Sequence, residues 1–243
     1  LTALLQVEPR SWEVLTCIPS GSAGLSAGYL DFEKIYYSLL GYLRRDPVQG
    51  EALMEKWKAT RDGIGFHPDR DIFSWLGKEY GAVTLSAPTS MMDPGGFAYF
   101  LEVKSTENLK EPLERFFIFL EKQGITVVED TYQGAEMRIV YLPIPALPLT
   151  PTLGRIDDYL ILTSRKEDFK RVVDTCGGEA LAVPSDPDFQ RMVERLGGKG
   201  TDFTFIRLEE RIDSLVTLLR SSSSMVGMIA AAQADPEAEI QGP

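Results

Sequence analysis

The segment Gly96–Gly124, GFAYFLEVKSTENLKEPLERFFIFLEKQG, joins a strand pattern directly to a helix pattern. Apolar residues occupy every second position from Phe97 to Val103, which is the period of a strand with one face in the core. We therefore predict a strand that ends at Lys104. In the second half the apolar residues fall on one helical stripe: Leu113, Phe116, Phe117 and Leu120. The segment thus predicts a strand followed by a helix that packs on the same sheet.

The start of this helix is predicted from its capping residues and its proline. Ser105 or Thr106 offers a side-chain oxygen to the free backbone N–H groups of a first turn. Pro112 lacks a backbone donor and is expected only within that first turn. We therefore predict that the regular helix begins near Leu109.

Similar patterns recur along the chain and predict most of its secondary structure. Strands are predicted at 23–32, 80–86, 125–130, 135–142 and 158–164, and helices at 33–45, 51–61, 166–176 and 189–196. Residues 87–96 are predicted to form a hairpin-like loop. The prolines between Leu142 and Gly154 predict an extended apolar loop rather than a central strand.

Residues 65–81, GFHPDRDIFSWLGKEYG, predict a short helical plug in the core. Asp69 or Asp71 is expected to cap it, and Gly77 is expected to allow the turn into the next strand. His67 is the single histidine of the chain, and its two neighbouring aspartates make a metal site or an acid–base site conceivable. Capping is the preferred interpretation, because Pro68 breaks helical facing and no second histidine is present. No motif predicts a catalytic residue, a bound cofactor or a metal.

Composition excludes some classes of function. The 243 residues are 44% hydrophobic, enough for a full core in one large or two small domains. The net charge of -11 argues against nucleic acid or an anionic membrane surface as the main partner. No run reaches the roughly 18 to 20 apolar residues of a transmembrane helix. The chain begins at Leu1 rather than Met, which leaves open a leader or anchor before it.

The two cysteines, Cys17 and Cys176, lie far apart and in no metal-ligand spacing. They either pair in an oxidising compartment or remain small apolar core residues. We expect free thiols, because a domain of this size with its own core does not need the crosslink.

These patterns together predict an α+β fold with a mixed, largely antiparallel sheet, helices mainly on one face, and repeated strand-helix units. Residues 1–22 are predicted to be an irregular lead-in, 23–199 an α+β module, and 200–243 the start of a second, truncated module with a frayed tail. The second module rests on an alignment of two strand-helix units: Leu30, Phe32, Tyr36, Leu39, Leu40, Leu43 and Arg44 match Ile206, Leu208, Ile212, Leu215, Val216, Leu219 and Arg220. Chance similarity explains this alignment equally well, because any two units with the same periods align.

Five phrases of the chain carry a family resemblance: FSWLGKEYGAVTL, GFAYFLEVKSTENLKEPLERF, IDDYLILTSRKEDFKRVVD, SDPDFQRMVERL and TDFTFIRLEERID. Together they resemble the bacterial family catalogued as domain of unknown function thirty-three fifty-two, over about residues 23–220. Members of that family are secreted or envelope-anchored and often longer than this chain. The resemblance therefore implies an extracytoplasmic place, periplasmic or envelope-anchored, and no catalytic residue.

The apolar loop is the predicted partner-binding site. Its prolines hold it extended, so that docking costs little entropy, and the residues we assign to it are Leu142, Pro143, Ile144, Pro145, Leu147 and Pro148. The alternative is that the loop folds back over the core. The leading hypothesis is a non-enzymatic envelope domain that binds a protein or another copy of itself. The other hypotheses are a carrier of apolar ligands or lipids, with a cavity beneath the loop, and a hydrolase or metal-dependent enzyme centred on His67.

Overall fold

The computed structural model describes residues 11–63, 65–88, 95–143, 149–196 and 200–209, together with positions 212 and 216. The strands are β1 (Gly24–Tyr29), β2 (Leu76–Ser86), β3 (Gly96–Val103), β4 (Thr126–Tyr132), β5 (Ala135–Tyr141), β6 (Thr152–Ile156), β7 (Tyr159–Thr163) and β8 (Asp202–Ile206). The α-helices are α1 (Phe32–Arg44), α2 (Gly50–Gly63), α3 (Thr106–Lys122), α4 (Lys166–Cys176) and α5 (Pro187–Leu196). Two 3-10 turns (Glu13–Cys17 and Val183–Ser185) and a π-helical turn (Asp69–Phe73) complete the described elements.

One sheet contains all eight described strands, in the order β4-β5-β6-β7-β3-β2-β1-β8. Every pairing between them is antiparallel. The predicted α+β class is confirmed, whereas the expected mixture of parallel and antiparallel pairs is not found among these strands. Tight connections explain the difference, because hairpins such as β4-β5 and β6-β7 can join only antiparallel neighbours.

Helices cover both faces of the sheet rather than mainly one. Phe100 and Leu101 are successive residues of β3 and point to opposite faces. Phe100 lies in a core that the Glu13–Cys17 turn, α4 and α5 cover. Leu101 packs against a second cluster, to which α3, the π-helical turn and Phe32 of α1 contribute. Both faces of the central strands are apolar, which is why one layer of helices does not suffice.

The segment that joins β3 to α3 folds as predicted, but the helix begins earlier than expected. Ser105 accepts a hydrogen bond from the N–H of Asn108, and α3 starts at Thr106. Pro112 therefore lies inside the helix, beyond its first turn, and that prediction was wrong. The cap nucleates the helix before the proline, and Leu109 and Phe117 anchor it in the core, so that the helix tolerates one missing hydrogen bond.

Strand β6 is the element that the sequence did not reveal. Residues 142–154 were expected to form a loop, yet β6 begins at Thr152 and lies between β5 and β7. The last proline, Pro151, directly precedes the strand and does not interrupt its hydrogen bonds. Gly154 is required within it, because a Cβ there would overlap the ring of Phe169 in α4.

The two ends of the described chain belong to the same sheet and core. In the lead-in, Val14 and Ile18 are fully buried. At the other end β8 pairs with β1, so that Ala27 lies opposite Phe203. Most of the predicted second module, residues 210–211, 213–215 and 217–243, lies outside the described residues, and the repeat stays a prediction.

Candidate functional site

The predicted partner-binding loop connects the neighbouring strands β5 and β6. At its base the N–H of Val140 donates to the carbonyl of Pro151, at 2.8 Å. Leu142 is half-buried and Pro143 is exposed. Ile144, Pro145, Leu147 and Pro148 lie outside the described residues, so the loop stays a prediction as a partner site.

His67 lies on the surface, and its aspartate neighbours are used in structural contacts. Asp71 is buried and accepts hydrogen bonds from the backbone N–H of His67 (2.6 Å), from Arg70 (2.8 Å) and from Arg115 of α3. Burial alone would raise the pKa of Asp71, but these donors outweigh it and lower the pKa to about 2. Asp71 thus binds the N–H of His67 from inside the π-helical turn, whereas Pro68 occupies the N-cap position and makes no side-chain cap hydrogen bond.

Asp69 does not cap this turn either, which corrects the prediction that one of the two aspartates caps it. It accepts a hydrogen bond from the hydroxyl of Tyr37 on α1. In the part of the chain that the structure describes, no group of three or more His, Cys, Asp or Glu side chains is placed to hold a metal ion. The enzyme hypothesis at His67 is not tested by this geometry and stays a prediction.

A buried carboxylate that no sequence motif indicated lies beside the core that contains Phe100. Glu79 of β2 is 3% exposed. It accepts hydrogen bonds from the hydroxyl of Tyr159 (2.5 Å) and the backbone N–H of Val14 (3.1 Å). Burial raises the pKa of Glu79, and burial followed by the hydrogen bond to Glu79 raises the pKa of Tyr159. The strand pattern contained a signal, since Glu79 shares its inward face with Val83 and Leu85.

The side chain of Glu102 accounts for the glycine at position 77, which was expected to allow a turn. Gly77 lies inside β2, where a Cβ would overlap the carboxylate of Glu102. That carboxylate accepts hydrogen bonds from the N–H groups of Lys78 (2.6 Å) and Glu79 (2.8 Å). The Glu102 carboxylate thus takes the place of hydrogen bonds between β2 and β3 at the point where the register of these two strands is interrupted. Both glutamates therefore have structural partners within the sheet.

The two cysteines form a disulfide, contrary to the expected free thiols. Cys17 ends the first 3-10 turn and Cys176 ends α4. An antiparallel bridge between Pro19 and Ala182 brings the same two segments together. The argument from domain size was wrong because a large core does not prevent a crosslink between neighbours that packing has already placed side by side.

Helices α1 and α2 form an antiparallel hairpin on the second face of the sheet. At its base, the indole N–H of Trp57 donates to the hydroxyl of Tyr36 (3.0 Å), and the ring of Tyr36 contacts that of Phe73. At its far end the chain turns within five residues. Asp46 accepts hydrogen bonds from the N–H groups of Val48 (2.8 Å) and Gln49 (2.9 Å) and closes this turn.

The far end of the hairpin exposes large apolar side chains. Tyr42 is 74% exposed and Val48 is 84% exposed, and we call these two residues the hairpin tip. Leu39 of α1 and Leu53 of α2 are exposed as well. The physical reason is that α1 packs mainly on α2 and contributes no fully buried residue to the core. Periodicity detected the apolar stripe but could not show that little covers it.

Cavities border the described residues at α5 and at the start of α1. One, of about 310 Å³, lies on α5 and is lined by Asp188, Arg191, Met192 and Arg195. The other, of about 70 Å³, lies where β1 leads into α1 and includes Asp31, Phe32, Lys78 and Lys104. Charged side chains line both, and neither described lining includes Val140 or Pro151 at the base of the proline-rich loop. The carrier hypothesis, which predicts an apolar cavity beneath that loop, stays a prediction.

No helix in the described ranges is long and apolar enough to cross a membrane. Comparisons with protein-family models, with characterised proteins and with solved structures give no significant match. The family resemblance of the sequence is therefore neither confirmed nor contradicted.

Proposed function

We propose that this chain is a non-enzymatic domain that acts outside the cytoplasm by binding a protein partner or another copy of itself. The observation that carries the proposal is the hairpin tip, Tyr42 and Val48. Solvent-exposed aromatic and aliphatic side chains at a hydrogen-bonded turn and the helix end beside it are typical of a binding surface, because they gain from burial and lose little freedom on docking.

The Cys17–Cys176 disulfide supports the extracytoplasmic part of this proposal. Structural disulfides persist in oxidising compartments and are rare in the cytosol, where reducing systems keep thiols free. The family resemblance implies the same compartment. The distribution of buried acids agrees with a binding role, since Asp71 and Glu79 are both occupied by structural donors.

Site-specific photo-crosslinking tests the proposal. A photoreactive phenylalanine at Val48 or Tyr42 should give a discrete crosslinked product in the native envelope, and mass spectrometry then identifies a partner protein or a second copy. Leu181 is the matched control, because it is 72% exposed but lies beside the disulfide, on the opposite side of the sheet. The double variant Tyr42→Asp/Val48→Asp should compete for the partner much less effectively than the wild type while keeping its thermal transition. A tip that crosslinks no more than position 181 would overturn the proposal.

A further inference from the structure

The two edges of the sheet differ in charge. The β4 edge carries Glu129 and Asp130, which pair with Arg138 (2.9 Å) and Lys166 (2.6 Å). At the other edge, β8 is uncharged after its first residue: Phe203, Thr204, Phe205 and Ile206. Charged side chains on an edge strand discourage pairing with another chain, and an uncharged edge lacks this protection.

The hydrogen-bonding groups of β8 that face outward can be read from its pairing with β1. The N–H of Tyr29 donates to the carbonyl of Thr201 (2.8 Å), and the N–H of Arg207 donates to the carbonyl of Ala23 (3.0 Å). Odd-numbered residues of 201–207 therefore bond to β1, and Asp202, Thr204 and Ile206 direct their backbone groups away from it. No strand within the described ranges pairs with that side of β8.

Apolar side chains continue from this edge into the helical positions that follow it. Ile206 is 40% exposed, and Leu208, Ile212 and Val216 are exposed as well. Each of the last three positions is in helical conformation. We call these four residues together with Thr204 the edge surface.

The first strand-helix unit shows what covers such positions. Phe32 and Tyr36, which align with Leu208 and Ile212, are half-buried and contact the rings of Tyr80 and Phe73. Those rings belong to β2, which is the neighbour of β1 on the side away from β8, and to the π-helical turn. The edge surface thus has the composition of a covered surface.

We propose that the edge surface binds the same surface of a second copy of this chain, with the two β8 strands antiparallel across a two-fold axis. A pairing centred on Thr204 is self-complementary. It places Thr204 opposite Thr204 of the second copy, joins the outward backbone groups of both strands, and sets Asp202 opposite Ile206 so that like charges are separated. The chain already contains a contact of this kind, because Ala27 and Phe203 are equivalent positions in the alignment of the two units and lie opposite each other. The sheet then continues through both protomers.

This inference deepens the self-association part of the proposed function. Sedimentation velocity of the full chain over a concentration series should show a reversible monomer–dimer equilibrium. Thr204→Lys places two ammonium groups side by side and should weaken the dimer at least about tenfold, since like charges directly opposite each other on paired strands repel. Thr131→Lys is the matched control, because Thr131 is also exposed and also lies on an edge strand, β4.

Hydrogen exchange locates the contact independently of these variants. Amide protection of Thr204 and Ile206 should rise with protein concentration, and that of Thr131 should not. A chain that stays monomeric, or a dimer that Thr204→Lys and concentration-dependent exchange leave unaffected, would overturn the proposal. Crosslinking at the hairpin tip can succeed in either case, so failure of the dimer is distinguishable from failure of the proposed function.

Discussion

Cys17 and Cys176 are joined by a disulfide with their Cα atoms 4.2 Å apart, although 159 positions separate them in the chain. Cys17 is buried together with Val14 and Leu15 in the core that contains Phe100. Cys176 lies at the end of α4, whose Phe169 and Val172 belong to the same core. The bond therefore ties the N-terminal segment to the helical layer on this face.

Removing the disulfide should lower stability because the unfolded chain is released from a long closed loop. Cys17→Ser/Cys176→Ser should reduce the free energy of unfolding by about 2 to 5 kcal/mol, measured by urea denaturation. Reduction of the wild type should reproduce this loss and leave the double variant unchanged. Titration of two free thiols in unfolded, unreduced protein would show that the bond does not form.

Glu79 should make stability fall with rising pH. Burial raises its folded-state pKa above the ordinary value of 4.5, so the folded chain holds the proton more tightly than the unfolded chain. Its contribution is complete below that ordinary pKa and is lost as the pH rises through the folded-state pKa. Glu79→Gln mimics the protonated form. The free energy of unfolding of this variant should therefore rise relative to that of the wild type as the pH increases above 4.5. Urea denaturation at a series of pH values measures this difference.

Glu136→Gln is the control for this prediction, because Glu136 lies exposed on β5 and should show no such relative gain. Parallel pH profiles for the wild type and Glu79→Gln would contradict the inferred role of burial.

Asp71 should have the opposite pH dependence. Its pKa is lowered to about 2 in the folded state, against an ordinary value of 3.8. Its stabilisation is present above the ordinary pKa and is lost as the pH falls toward 2. Asp71→Asn should cost about 2 to 3 kcal/mol at pH 7, because charged hydrogen bonds to Arg70 and Arg115 are lost. The stabilities of variant and wild type should converge on acidification, as followed by urea denaturation.

The exposed ion pair of Asp62 with Arg61 supplies a comparison. Asp62→Asn should change stability by less than about 0.5 kcal/mol at any of these pH values. A similar small effect for Asp71→Asn would mean that the buried contacts of Asp71 do not stabilise the fold.

The α1–α2 hairpin should respond in opposite ways to alanine at two glycines. At Gly50 a Cβ would lie 2.7 Å from the carbonyl oxygen of Leu43 and 2.8 Å from that of Arg44, whereas at Gly41 it meets open space. Gly41→Ala should stabilise the protein by about 0.5 to 1 kcal/mol, since it reduces the entropy of the unfolded chain within a helix. Gly50→Ala should destabilise it by about 1 to 3 kcal/mol, since the helices must separate. Thermal and urea unfolding measure both effects, and equal effects of the two changes would refute the close packing at Gly50.

Local signals along the chain identified most elements correctly. The predicted helix 166–176 coincides with α4, because its apolar stripe and the following Gly177-Gly178 pair are local features. Asp186 caps α5 by accepting hydrogen bonds from the N–H groups of Asp188 and Phe189. The Gln133-Gly134 turn between β4 and β5 has positive φ at both positions, as a two-residue hairpin requires. Each of these outcomes depends on interactions within about ten residues.

The candidate surfaces were harder to predict. The sequence pointed to the loop around Pro143 through its prolines, but the exposure of Tyr42 and Val48 follows from how α1 and α2 pack on their neighbours. Periodicity reports that a stripe is apolar and says nothing of what covers it. The same limit applies to Leu208 and Ile212, whose pattern resembles that of the half-buried Phe32 and Tyr36.

The sequence by itself determined the α+β class, the positions of most strands and helices, and the caps and turns between them, because hydrophobic period and capping act between near neighbours. Only the tertiary structure decided that helices cover both faces, that β6 completes the sheet, that Cys17 meets Cys176, and that Glu79 is buried beside Tyr159. These features join residues far apart in the chain, and they depend on the packing of the complete core rather than on any local pattern.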